Sequence, residues 1–351
     1  MMTGLKWSES QTFLANLFGG GEFQGHGFII DVPMPINGLF PVGSAEERAE
    51  LMGRNFEANL RVKELIDDDR VPCLHVWSGT EVFAEAYGAK AYLNGFDMSF
   101  ALATVHSAGE VDALQEPDIF SGSIGKIFEI ADRLVQKYGN DHPVRICDIQ
   151  SPFDIAALVW EKSSFYMALY DNPGAVHRLL DKITRTLEKF VEAFRNRYEN
   201  VNLAHHPDLW MPPEYGICLS EDEVGSISKK AFSEFCLPYL NRLSDKFGGI
   251  YIHCCAHSTH QWDNFLKING LIGLNLNTDF ETTVKSIEKF SGEVFLVPGG
   301  WDSLRPIFLE SLKVLLSYTK ANTRLYITAS APEVNSAKLL RNTLRVLLGR
   351  E

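Results

Sequence analysis

The segment Tyr251-Ile252-His253-Cys254-Cys255-Ala256-His257 places imidazole and thiol donors at the end of a short apolar run. In an extended chain successive side chains face opposite ways, so His253, Cys255 and His257 point to one side and Cys254 and Ala256 to the other. Zinc accepts imidazole nitrogen together with thiolate sulfur, and the chemistry expected of such a strand end is a zinc-thiolate centre. The competing reading is packing, because cysteine is among the residues most often buried and a lone His-x-Cys recurs by chance.

Composition narrows the classes. The chain has 351 residues, 45% of them hydrophobic, enough for one large domain or two ordinary ones. Its 45 acidic against 33 basic residues give a net charge of -12, which repels phosphate backbones and argues against a nucleic-acid partner. No run reaches the roughly 18 apolar residues of a membrane span, and the first residues lack the basic-then-apolar order of a signal peptide. The expectation is a cytoplasmic protein with no membrane partner. Six cysteines, at 73, 147, 218, 236, 254 and 255, are too sparse for a disulfide scaffold and suit a reducing compartment.

These donors need a scaffold. Apolar runs at Val71–Trp77, Val144–Ile149, Val201–His205, Gly249–Cys255, Leu271–Leu276, Val294–Val297 and Leu325–Thr328 read as strands. Between them lie helical patterns at Asn172–Asn200, Lys229–Phe247, Phe280–Phe290 and Ser303–Thr319. Strand-then-helix order argues for parallel strands with right-handed crossovers. Seven such strands favour an α/β fold of the (β/α)8 TIM barrel type, with the eighth strand unplaced. The absence of a G-x-G-x-x-G turn counts against a dinucleotide-binding sheet. Residues 1–66, glycine-dense and then proline-rich, read as an N-terminal extension packed on a barrel formed by residues 67–351. Ala89–Ala108 reads as a hairpin over the barrel mouth.

In a barrel, chemistry sits at the carboxyl ends of the strands. Those ends carry Trp77, Ser78 and Glu81; Asp148, Gln150 and Ser151; His205, His206 and Asp208; His253, Cys255 and His257; then Asn275, Asn277, Trp301 and Asp302. Asp148, Asp208 and His205 are the candidates for proton transfer. Trp77, Gln150, Asn275 and Trp301 are candidates for the substrate wall. Alternation predicts that at most one of His205 and His206 reaches the mouth. Asp67-Asp68-Asp69 is expected to be a solvated loop. Trp210–Tyr215 reads equally as a lid or as a proline-stiffened loop.

Four segments carry a family resemblance: Ser151-Pro152-Phe153-Asp154-Ile155-Ala156-Ala157-Leu158, Tyr166-Met167-Ala168-Leu169-Tyr170-Asp171-Asn172-Pro173, Phe232-Ser233-Glu234-Phe235-Cys236-Leu237-Pro238-Tyr239 and His253-Cys254-Cys255. From about Arg54 onward the chain resembles the uroporphyrinogen decarboxylase superfamily. That resemblance implies a (β/α) barrel and one of two activities: cofactor-independent decarboxylation of porphyrinogens, or zinc-dependent methyl transfer involving a corrinoid protein or a thiol. The His-x-Cys pair is the marker of the methyltransferase branch. Three departures bear on the choice. The decarboxylase segment Arg-Gln-x-Gly-Arg has no match here, and Gly79 stands where the decarboxylases place an aspartate. The methyltransferases take their third zinc ligand from a cysteine after the last strand, where this chain reads Thr328-Ala329-Ser330-Ala331. His257, Glu81, Asp208 and His205 are the alternatives for that position.

The expected function is therefore zinc-dependent methyl transfer between a small methylated compound and a corrinoid protein or thiol, with Zn(2+) on His253 and Cys255, and with a homodimer as a further expectation. The alternatives are a lyase acting on a carboxylated substrate and an inactive small-molecule-binding barrel.

Overall fold

The computed structural model describes residues 8–33, 43–93, 99–299 and 307–350. Trp301 and Asp302 lie outside the described residues. The strands are β1 (Gly27–Asp31), β2 (Leu74–His75), β3 (Lys90–Leu93), β4 (Ser99–Leu102), β5 (Val144–Arg145), β6 (Val201–Asn202), β7 (Ile217–Ser220), β8 (Ile250–Cys254), β9 (Leu271–Asn277), β10 (Phe295–Gly299) and β11 (Arg324–Ser330). Six of them form a parallel sheet in the order β1-β11-β10-β9-β8-β7, and three more form a parallel sheet β2-β5-β6.

Two seams join these sheets. At one, Cys218 N–H donates to Leu203 C=O, Ser220 N–H to Ile149 C=O and Ser151 N–H to Ser220 C=O. At the other, Asp69 N–H donates to Phe28 C=O, while Phe28 N–H and Ile30 N–H donate to the carboxylates of Asp69 and Asp68. The result is the α/β barrel class anticipated from strand-helix alternation, with helices outside. All seven anticipated strands are present. β1 and β7 were not anticipated, and β1 lies within the stretch read as an N-terminal extension. It is a strand of the sheet, paired in register with β11.

Asp68 and Asp69 correct another expectation. Rather than forming a solvated loop, both are buried, and their carboxylates take the place of a missing strand partner for β1. Arg70 lies beside Asp68, and Arg350 clamps Asp69 with two hydrogen bonds of 2.8 and 3.0 Å.

The outer layer follows from amphipathic spacing. Helix Pro173–Arg197 buries Val176, Leu179, Leu180, Ile183, Leu187, Phe190 and Phe194 on one stripe. Phe190 meets the edges of the Phe83 and Phe128 rings. Proline 238 cannot donate a hydrogen bond inside a helix, and the turn Phe232–Cys236 before it widens to the π form, with Leu237 N–H bonded to Phe232 C=O. Ala89–Ala108 contains the expected hairpin, β3 antiparallel to β4. Trp210 and Met211 are buried, and the amide of Asn202 bonds Leu209 C=O and Met211 N–H, so the start of this segment is packed core, while Glu214 further along it is exposed. Among the described residues no helix is long and apolar enough to cross a membrane.

Candidate active site

Register places Ser220, His253, Asn275 and Val297 in one row across β7, β8, β9 and β10. Residues paired in a parallel ladder face the same side, and this row faces the interior. The Asn275 amide donates through Nδ2 to Val297 C=O at 2.7 Å. A carbonyl only accepts, so the amide orientation is fixed and Oδ1 must face His253 Nδ1, 2.6 Å away. His253 therefore carries its hydrogen on Nδ1 and presents the Nε2 lone pair to Cys255 Sγ at 3.0 Å. This is the arrangement in which an outer hydrogen bond orients a ligating imidazole. Cys254 turns the other way, buried, with its thiol toward Ser258 Oγ at 3.4 Å. The alternation read from sequence is what the strand does.

A second cluster faces this pair across the mouth. Asp148 Oδ1 accepts from Gln150 Nε2 at 2.8 Å and from Ser220 Oγ at 3.4 Å, and lies 3.2 Å from His205 Nε2. Its side chain keeps 24% exposure, yet enclosure by the surrounding protein, with the charges of Asp222 and Glu81, raises its carboxyl to about 7. Burial pushes the His205 imidazole well below its ordinary range, so His205 is neutral and its Nε2 contacts Ser220 Oγ at 3.0 Å. A carboxyl titrating near neutrality beside a neutral imidazole and a hydroxyl is equipped for proton transfer.

Both histidines of the His205-His206 pair reach the site, against the expectation from alternation. β6 ends at Asn202, so the period of two no longer applies. The His206 ring stands 4.2 Å from that of His253, centre to centre.

The other expected site residues are placed as follows. Asp208 is bonded to Arg70 at 2.8 Å and to Arg145; burial alone would raise its carboxyl, but the two guanidinium groups outweigh it and hold it low. Glu81 is buried and accepts from Ser99 Oγ at the start of β4, the loop end of the hairpin. His257 is exposed. Gln150 holds Asp148, and Asn275 lies behind His253, buried. Trp77 is part of the wall of a 430 Å³ cavity described below.

Sequence reading missed the residues that follow β7. Asp222 Oδ1 accepts from Cys255 N–H and fixes the strand end that bears the thiol. Glu221 is fully buried, and burial with the charges of Asp222 and Glu223 raises its carboxyl to about 8. Asp154, from the Ser-Pro-Phe-Asp motif, accepts from Asp222 N–H and Glu223 N–H, and Ser151 Oγ caps the same helix by accepting from Asp154 N–H. The only local signal for β7 is Ile217-Cys218-Leu219 after Gly216, too short to stand out.

The pair His253 Nε2 and Cys255 Sγ fits two corners of a zinc site. Ligands on one zinc ion sit about 3.5 Å apart for bonds of about 2.0 and 2.3 Å in a tetrahedron, so the two need open only slightly. Among the described residues no group of three His, Cys, Asp or Glu side chains gathers as a metal site.

Fold and site together define a barrel that places its ionisable groups at the carboxyl ends of its strands. The model of the family described as uroporphyrinogen decarboxylase (URO-D) matches residues 73–205. Among solved structures, a methyltransferase from Methanosarcina mazei superposes with a TM-score of 0.68 at 15% identity, covering 96% of this chain and 98% of that one. None of the curated proteins compared with the chain matches it. The resemblance to the uroporphyrinogen decarboxylase family is thus borne out in sequence over residues 73–205, and the chain shares the fold of that methyltransferase over nearly its whole length. The wider superfamily comprises enzymes, decarboxylases and methyltransferases among them.

Proposed function

We propose that this chain is a methyltransferase whose chemistry is centred on His253 and Cys255 and which passes a methyl group between a small methylated compound and a thiol or a separate corrinoid protein. The observation that supports this reading is the preset imidazole: Val297 C=O orients Asn275, Asn275 orients His253, and the free Nε2 lone pair converges with the Cys255 thiol. A zinc ion would be held by these two atoms, and when bound it supplies thiol activation by favouring the thiolate. Asp148 serves as the proton donor to the group that loses the methyl, with Gln150, Ser220 and His205 fixing the carboxyl. Asp222 holds the backbone of Cys255.

One observation favours the lyase as a second reading. A Cβ at Gly79 would meet Glu81 Oε2 at 2.4 Å, so the Glu81 carboxylate fills the place of the decarboxylase aspartate. The arginines do not follow suit. Arg48 is buried on helix Ala45–Ile66, donating to Trp77 C=O, while Arg54 and Arg61 on the same helix are exposed.

The test is zinc content by elemental mass spectrometry, for wild type and a His253→Ala, Cys255→Ala double variant, paired with methyl transfer to a thiol acceptor. About one zinc per chain, lost with activity in the variant, supports the reading. Metal-free wild type with no transfer to any thiol or corrinoid acceptor would overturn it.

A further inference from the structure

A cavity of about 430 Å³ lies beside the β1–β2 seam, between helix Ala45–Ile66 and residues at or near the ends of β1, β2, β5 and β6. β1 and β2 are joined there through the carboxylates of Asp68 and Asp69 rather than by a continuous ladder. His206 lines the cavity and its ring lies against that of His253, so the space borders the His253–Cys255 pair.

The charges in this wall are unequal in what they present. Arg70 and Arg145 each have only 4% of their side chains exposed, whereas Asp31 has 58% and Asp208 38%. The guanidinium groups are engaged already. Arg70 donates to Asn59, Asp208, Ile30 C=O and Asp31, and Arg145 to Ala204 C=O, His205 C=O, Pro207 C=O and Asp208; the buried Arg70 Nε alone has no partner. An incoming ligand therefore meets carboxylate oxygens, uncharged imidazoles and the indole of Trp77. The more exposed carboxylates at one side and an indole at another suit a compact cation with methyl groups better than an anion.

We propose that this cavity binds a small alkylated ammonium ion, recognised by Asp31 and Asp208 and by the indole of Trp77. The inference rests on the methyl-transfer reading for the use to which the ligand's methyl group is put, and on the cavity alone for binding.

Calorimetric titration of the full chain with tetramethylammonium, with pivalate as an anion of the same branched shape and with tert-butanol as a neutral one, separates the cases. The expected order is tetramethylammonium tightest, with pivalate at least tenfold weaker. Asn55→Lys, on the cavity face of helix Ala45–Ile66, should weaken tetramethylammonium at least tenfold with an unchanged thermal midpoint, and Asp31→Asn should weaken it in the same direction. Pivalate binding as tightly as the cation, no binding by any probe, or indifference to Asn55→Lys would overturn the proposal. Because binding is read without metal or turnover, a chain that holds the cation but transfers no methyl group sinks only the methyltransferase reading.

Discussion

The two halves of the barrel solve the same backbone problem differently. Strands β8 to β11 run five to seven residues and satisfy one another through long parallel ladders, whereas β2, β5 and β6 run two residues each. Where ladders are short, side chains take over. Asn202 bonds Leu209 C=O, Ala204 N–H and Met211 N–H, and Arg145 bonds three carbonyls of the segment after β6. The regular half can aim a donor pair, His253 and Cys255, by register alone. The irregular half bends away from the ladder and places His205, His206 and Asp208 around a cavity. Regularity fixes direction, and irregularity makes room.

The largest expected effect breaks the regular half. His253→Ala with Cys255→Ala should take bound zinc from about one per chain to none and methyl transfer to the detection limit. Retained metal would move the donor pair elsewhere.

In the irregular half, Asp148→Asn should lower turnover by about 10²–10⁴-fold, the usual range for losing a proton donor. With the Asp148 carboxyl raised to about 7, turnover in the wild type should fall as pH rises through that value, because the protonated form is the donor. That alkaline limb should vanish in the variant. A profile identical in both would remove Asp148 from the chemistry.

Asn275→Leu sharpens the comparison from the regular side. Losing an outer partner of a ligating histidine weakens metal binding by about 10–100-fold. Competition with a chelator reads this directly, and unaltered affinity would mean that the strand, not the amide, orients the imidazole.

The smallest effect lies where the halves meet, at Glu221. Its carboxyl is raised to about 8 in the fold from an ordinary value of 4.5, so the folded chain keeps a proton that the unfolded chain releases between those values. The stability this lends is complete below the lower value and lost as pH rises through the higher one. Thermal midpoints should therefore decline from pH 5 to 8, and Glu221→Gln should make the decline shallower. An equal slope in both would place the titrating group elsewhere.

Much of this design is legible in the residues. His-x-Cys alternation at the end of β8 follows from the period of a strand, and seven apolar runs of four to seven residues announce their strands. Other features depend on partners far along the chain. Asp68 and Asp69 bond Ile30 and Phe28, 38 and 41 residues earlier, and no local pattern distinguishes that from a solvated acidic run. The role of Asn275 depends on which residues stand opposite it on β8 and β10. β1 hides among glycines, and β7 offers three apolar residues between Gly216 and Ser220. Both histidines reach the site because β6 stops short, and strand length is the property that sequence marks least.

The chain from Val297 to Asn275 to His253 has one more consequence. A backbone carbonyl accepts at every pH, so the sense of this relay cannot reverse. The nitrogen that offers its lone pair is written into the polarity of β10, two strands away from the imidazole. Solvent, ligand and proton can come and go at the mouth while the asymmetry of that ring stays inherited from the direction in which the polypeptide runs.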